Sequence, residues 1–211
     1  MPKRKIISGM QNTYYKIPNL KIDRQEVELA IGITEFHYRE FDNFKSKIHV
    51  DDIPIECKKL IELREMGIMH DIFTMISYSD DKLTPDINKY FKKIDQEYVV
   101  GKHKDGNNKR EGFETYAGSL VYPLYNAEDS IVEWYDDSPE QIVYNIRTGT
   151  WCKNEEVLDK KVNQVSMKNE QPIILRTDVW HSIKFKTTPR IIMRWLFRHD
   201  LSWNDILKFF D

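Results

Sequence analysis

Val179-Trp180-His181-Ser182-Ile183-Lys184-Phe185 and, after Lys186-Thr187-Thr188, Pro189-Arg190-Ile191-Ile192-Met193-Arg194-Trp195-Leu196-Phe197 decide how this chain is read. Residues two apart in a strand share a face. In the first run Val179, His181, Ile183 and Phe185 lie on one side, and Trp180, Ser182, Lys184 and Lys186 on the other. His181 therefore points inward. In the second run Arg190, Ile192, Arg194 and Leu196 share a face opposite the apolar set Ile191, Met193, Trp195 and Phe197. A buried guanidinium is costly without an anion. Either the two arginines meet one inside, or they pair with Asp or Glu at the surface, as the neighbouring Lys184 and Lys186 allow. An inward histidine taken alone is more often a core residue bonded to a backbone carbonyl.

Working outward, short β runs separated by turn residues extend from about Ile94 to Phe197: Tyr98–Val100, Tyr116–Tyr125, Ile131–Tyr135, Ile142–Ile146, Pro172–Leu175, Val179–Phe185 and Arg190–Phe197. Strands at this density predict a jelly-roll or barrel. The 1–89 segment reads as a helical flank. Asp23-Arg24-Gln25-Glu26 starts a short helix that Gly32 stops, and Pro54 opens a second with Cys57, Leu60, Ile61 and Arg64 before Gly67. Ser202-Trp203-Asn204-Asp205 reads as the N-cap and first turn of a closing helix within 199–211. The expectation is one domain of 211 residues: mainly β with flanking helices (α+β), its strands at 90–198.

A second cluster of chemistry is His103-Lys104-Asp105, at the end of an apolar run and before Gly106-Asn107-Asn108, which reads as a loop. The imidazole and the carboxylate project from one strand face and can converge on one ion. His49-Val50-Asp51 repeats the pattern, but Ile53-Pro54 and a helix follow it. Context favours His103.

Composition bounds the rest. Forty per cent apolar residues with 8 Gly and 8 Pro describe an ordinary globular chain. Lys+Arg number 32 against 34 Asp+Glu, a net charge of −2 that gives nucleic acid no global attraction. Two cysteines, Cys57 and Cys152, form neither a disulfide framework nor a zinc knuckle. With no apolar run long enough for a signal peptide or a membrane span, the expectation is a cytoplasmic protein without a membrane partner. P-loop, G-x-G-x-x-G, G-x-S-x-G and H-E-x-x-H patterns are absent.

His103-Lys104-Asp105, then His181, then Arg190 nine residues later at the head of the last apolar strand, resembles the Fe(II)/2-oxoglutarate-dependent oxygenases, in particular their prolyl-hydroxylase-like and small phage-type branches. Ser119-Leu120-Val121-Tyr122-Pro123-Leu124-Tyr125-Asn126 and Glu133-Trp134-Tyr135-Asp136 also look like the strands that follow H-x-D there. The likeness spans about residues 90 to 198. It implies a double-stranded β-helix, Fe(II) held by His103, Asp105 and His181, and 2-oxoglutarate chelating the metal while its distal carboxylate meets Arg190. Two imidazoles and a carboxylate on one face of an octahedral ion leave the other face for an oxo-acid and dioxygen. A planar guanidinium meets a carboxylate bidentately. The implied reaction couples decarboxylation of 2-oxoglutarate to succinate with hydroxylation of a substrate.

Tyr122 and Asn126 are expected to bond the cosubstrate or orient a ligand; a core tyrosine and a turn asparagine are the competing readings. Arg194 shares the inward face with Arg190 and is expected to hold a second carboxylate or an anionic part of the substrate. Lys102, Lys104, Lys109 and Arg110 gather near the expected entrance, where they either draw in an anionic small-molecule or peptidyl substrate or are simply solvated. Two rivals to the hydroxylase stand. One is a non-catalytic cupin-like module that keeps metal or ligand affinity, its cavity filled by Trp134, Trp180 or Trp195. The other is a zinc or manganese enzyme of the cupin type, which needs no inward Arg190.

Overall fold

The computed structural model describes residues 12–17, 20, 46–49, 58–77, 91–94, 97–109, 112–136, 142–145, 150–153, 160–186 and 190–211. In chain order these form β1 (Tyr14–Lys16), β2 (Ser46–His49), α1 (Lys58–Glu65), β3 (Met69–Ser77), β4 (Phe91–Ile94), β5 (Glu97–Lys109), β6 (Gly112–Thr115) and β7 (Gly118–Tyr125). There follow β8 (Ile131–Tyr135), β9 (Ile142–Asn145), β10 (Thr150–Lys153), β11 (Lys161–Ser166), β12 (Ile173–Arg176), β13 (His181–Phe185), β14 (Arg190–Phe197) and α2 (Trp203–Lys208).

The strands pair antiparallel in two sheets. One runs β1-β12-β7-β14-β3-β2, the other β11-β8-β13-β5-β10-β9 with β4 and β6 also on β5. Successive strands β12, β13 and β14 alternate between the sheets. Val121, Ile173, Leu175 and Ile192 from the first sheet pack on Val132, Trp134 and Val165 from the second, so this apolar layer lies between them. The other face of the first sheet presents Leu120, Tyr122, Ile174, Met193, Trp195 and Phe197 to α1 and α2, which contribute Leu60, Leu63, Trp203 and Ile206. β7, β12 and β14 carry apolar side chains on both faces because both faces are covered.

Local chemistry sets the helix ends. Gly67, at φ 66°, stops α1: its N–H donates to the Arg64 carbonyl and the Ile68 N–H to the Leu63 carbonyl, a Schellman ending that glycine alone enters without strain. α1 buries Leu60 and Leu63, whereas Ile61, expected in its apolar stripe, is 41% exposed. Ser202 caps α2 in a reciprocal box with Asp205. Gly118 lies under α2; a Cβ there would sit 3.1 Å from Trp203 Cζ3, 3.2 Å from Ile206 Cδ1 and 3.2 Å from the Leu175 carbonyl oxygen.

Several expectations change. The described part of 1–89 carries β1, β2 and β3 beside the single helix α1, not helices alone. Met69–Ser77 is rich in β-branched and aromatic residues and pairs with β14 along its length. The helix expected at 23–32, and Pro54 and Cys57 of the second, lie outside the described residues. Gly106-Asn107-Asn108 is strand, not loop: β5 continues to Lys109 and pairs with β6, Gly106 opposite Thr115. Ladder hydrogen bonds there outweigh the turn preference of Gly and Asn. Strands β10 and β11, short and polar, carry no periodic apolar signal and escaped the sequence reading.

Candidate metal centre

His103 and Asp105 come from β5 and His181 from β13, adjacent strands of the second sheet in which His181 pairs directly with His103. Between His181 and Ile183 the register slips by one residue, because Ile183 meets Val100. The extra residue is on β5, just before His103, and such a bulge re-aims the side chains next to it. All three are buried, and their ligand atoms lie within 4.8 Å of one another. The imidazole centroids are 4.3 Å apart and His103 Nε2 is 3.7 Å from Asp105 Oδ1.

The two histidines are set the same way. His103 Nδ1 lies 2.7 Å from the Gly101 carbonyl oxygen and His181 Nδ1 2.9 Å from that of Val179. A carbonyl only accepts, so each Nδ1 carries the proton, and a neutral ring then has its lone pair on Nε2. The Asp105 backbone is pinned from both sides: its N–H donates to the Thr177 carbonyl and its carbonyl accepts from the Tyr116 N–H. Two imidazole nitrogens and one carboxylate on a rigid sheet are a donor set that fits a divalent transition metal with open positions. The rival His49 ends β2 in the other sheet, and Val50 and Asp51 lie outside the described residues.

The two arginines of β14 enter the inter-sheet layer on the face of Ile192. Arg190 is 2% exposed. Its Nε donates to Ser130 Oγ at 2.6 Å, one terminal nitrogen lies 3.4 Å from Met167 Sδ, and the guanidinium sits 5.1 Å from the centre of the Phe185 ring. Among the described residues no carboxylate forms an ion pair with it. Burial pushes it down to about 10 from the ordinary arginine range, against a smaller upward pull from the Asp129 charge. It is therefore not the surface ion-pair partner that sequence alone allowed. Arg194, expected to meet a carboxylate of cosubstrate or substrate, meets one from the chain itself: its guanidinium pairs with Asp105 Oδ2, linking the two sheets. Burial lowers Arg194 to about 10 as well.

Tyr122 does not join this group. Tyr122 belongs to the opposite face of β7, in register with Met193 and packed in the helix-side layer. Asn126 stands at φ 49° in the turn leaving β7, a left-handed conformation that asparagine tolerates better than most residues. Of the three tryptophans expected to discriminate an open cavity from a filled one, only Trp134 lies in the inter-sheet layer, where its Nε1 donates to the Arg176 carbonyl at 2.8 Å. Trp195 faces the helices. Trp180 lies beneath the Lys104 ammonium at 5.1 Å, and Lys102 lies 4.5 Å from the centre of the Tyr135 ring. Both lysines alternate with His103 and so face away from it.

Ser130, Met167 and Thr177 were not legible in the sequence, since each reaches the site from a turn or strand end that only the fold brings near. Behind the second sheet, Glu133 accepts from Lys161 (3.0 Å), Lys184 (2.9 Å) and Tyr135 (2.9 Å), and Tyr135 and Ser182 hydroxyls are 2.8 Å apart. Burial raises the Glu133 carboxyl, but the Lys184, Lys161 and Tyr135 hydrogen bonds outweigh it and hold the group below the usual carboxylate range.

Among the described residues no helix is long and apolar enough to cross a membrane. The sequence matches no protein-family model and no curated protein. Among solved structures it is similar to the viral collagen prolyl hydroxylase of Paramecium bursaria Chlorella virus-1 in its 2OG complex, with a TM-score of 0.47 and 12% identity over 90% of this chain and 98% of that one.

Proposed function

We propose that this chain is a non-haem Fe(II)/2-oxoglutarate-dependent dioxygenase, a hydroxylase built on a double-stranded β-helix. One observation carries the reading: a buried His-Asp-His cluster shares the inter-sheet layer with Arg190, a buried guanidinium lacking an ion-pair partner among the described residues. The strand order supports the fold: β3-β14-β7-β12 in one sheet faces β5-β13-β8-β11 in the other, the arrangement produced when an antiparallel ribbon is wound into a helix.

In this reading His103, Asp105 and His181 hold the metal, each imidazole kept in the Nε2-donor tautomer by its carbonyl contact. Bound iron supplies the redox chemistry that couples decarboxylation of 2-oxoglutarate to oxidation of the substrate by dioxygen. Arg190 binds the distal carboxylate, its ring and hydroxyl contacts holding the planar fork in one orientation. The inward Arg190 disfavours the zinc or manganese cupin reading, which has no use for it. Trp134 lies in the inter-sheet layer and Trp195 on the helix side, so the tryptophans do not separate this reading from the filled, non-catalytic module.

Anaerobic addition of Fe(II) and 2-oxoglutarate tests the proposal. A visible metal-to-ligand charge-transfer band is expected, with succinate appearing after oxygen is admitted. His103→Ala and His181→Ala should abolish the band. No band in the unaltered protein removes the enzyme reading; a band that survives both substitutions removes this ligand set.

A further inference from the structure

Three contacts hold the Arg190 guanidinium at the end of the inter-sheet layer away from the metal cluster. Its Nε donates to Ser130 Oγ at 2.6 Å, Nη2 lies 3.4 Å from Met167 Sδ, and its central carbon is 5.1 Å from the centre of the Phe185 ring. Phe185 closes β13, four residues beyond His181 and about 13 Å along the strand. Ser130 immediately precedes β8, whose Ile131 pairs with Lys184 and whose Trp134 pairs with His181. Met167 is 1% exposed, and its N–H donates to the Ser130 carbonyl, so the two residues that bond the guanidinium are also bonded to each other. We propose that Met167 is a specificity-determining residue: its thioether is a backstop that fixes how far the guanidinium stands from His103, Asp105 and His181, and thereby limits the chain length of the oxo-diacid. The inference rests on the oxo-acid reading above and adds to it the residue that gauges the ligand.

A diacid held at both ends has to match the distance between its two anchors. At one end the ligating side chains are fixed on two adjacent strands. At the other, Ser130 and Met167 lie along the Nε–Nη2 edge of the guanidinium, which leaves the edge of the two terminal nitrogens for a carboxylate. A longer acid fits only if the guanidinium withdraws. A thioether is a weak acceptor, so Met167 resists that movement by occupying space more than by its hydrogen bond. Methionine is flexible in itself, but burial in the cluster of Val165, Ile173 and Ile192 removes that freedom. Shortening the side chain empties the volume beside Nη2 and lets the guanidinium swing back far enough to admit one more methylene.

Calorimetric titration of 2-oxoglutarate and of 2-oxoadipate, one methylene longer, into protein saturated with Mn(II) gives the ratio of the two affinities without turnover. The unaltered protein should favour 2-oxoglutarate by about tenfold or more, the discrimination that one methylene commands in a fitted pocket. Met167→Val should bring the two acids to within about threefold of each other, chiefly by a gain for 2-oxoadipate. Met167→Ala carries the same expectation. Met167→Leu keeps a carbon where the sulfur stands and should hold the unaltered ratio, a result that a general loosening of the core would not give. Equal binding of both acids by the unaltered protein overturns the role of Met167 without recourse to any variant. So does an unaltered ratio in folded Met167→Val, or a shift in Met167→Leu as large as that in Met167→Val. Each of these outcomes leaves the oxo-acid reading intact. Binding of neither acid by the unaltered protein overturns that reading and this inference with it.

Discussion

Replacing Arg190 by methionine should make the ligand-free protein more stable while weakening its response to 2-oxoglutarate. Burial depresses the Arg190 ionisation to about 10, between two and three powers of ten below a solvated guanidinium. Each power of ten is about 1.4 kcal/mol, so roughly 3 kcal/mol of desolvation is left unrecovered in the fold. The sign follows directly. A cationic group with a depressed folded-state value opposes folding at every pH below that value, and the opposition fades only as pH rises above about 10. Methionine removes the charge and fills most of the same volume. Against that gain stand the Ser130 hydrogen bond and the Phe185 ring contact, each worth about 1 kcal/mol. The net expectation is a gain of about 1 kcal/mol, or about 2–4 °C in Tm for a chain of this size. In the unaltered protein the guanidinium instead returns about 1.5–3 kcal/mol when a carboxylate pairs with it, so a given concentration of 2-oxoglutarate with Mn(II) should raise its Tm by more than it raises that of Arg190→Met. Urea unfolding and thermal scans, each with and without ligand, measure both effects. A loss of about 3–5 kcal/mol in ligand-free Arg190→Met would refute the reasoning, because that is the cost of breaking an internal buried ion pair. The anion for Arg190 would then belong to the chain, not to a cosubstrate.

Two further predictions concern the scaffold. Glu133 is held ionised by Lys184, Lys161 and Tyr135, so its contribution to stability is present at neutral pH and lost as pH falls through its depressed folded-state value; Glu133→Gln should flatten the acid limb of a stability-against-pH curve from chemical unfolding. Gly118→Ala places a methyl group against Trp203, Ile206 and the Leu175 carbonyl, and should cost about 1–3 kcal/mol in urea unfolding while leaving Mn(II) affinity unchanged.

The sequence by itself determined the strands whose side chains alternate or whose both faces are covered: Ile131–Tyr135 and Arg190–Phe197 begin and end where the pattern does. It also determined that His103 and Asp105 share a face, that His181 lies with Val179, Ile183 and Phe185, and that Arg190 and Arg194 share a face opposite the apolar set, because phase is a property of one strand and needs no neighbour. What lies opposite a face is not such a property. The period-2 pattern left Tyr122 able to face either the centre or the helices, and sheet pairing with Met193 put it with the helices. The same pattern left both arginines awaiting an anion, and only the approach of β14 to β5 gave Arg194 the Asp105 carboxylate and left Arg190 with a hydroxyl, a thioether and a ring. Strands such as Lys161–Ser166 and the 106–109 end of β5 form because a neighbour supplies the ladder, a hydrogen-bonding contribution that no local composition encodes. Phase is therefore local and legible, whereas partnership is decided by the packing of two sheets far apart in the chain.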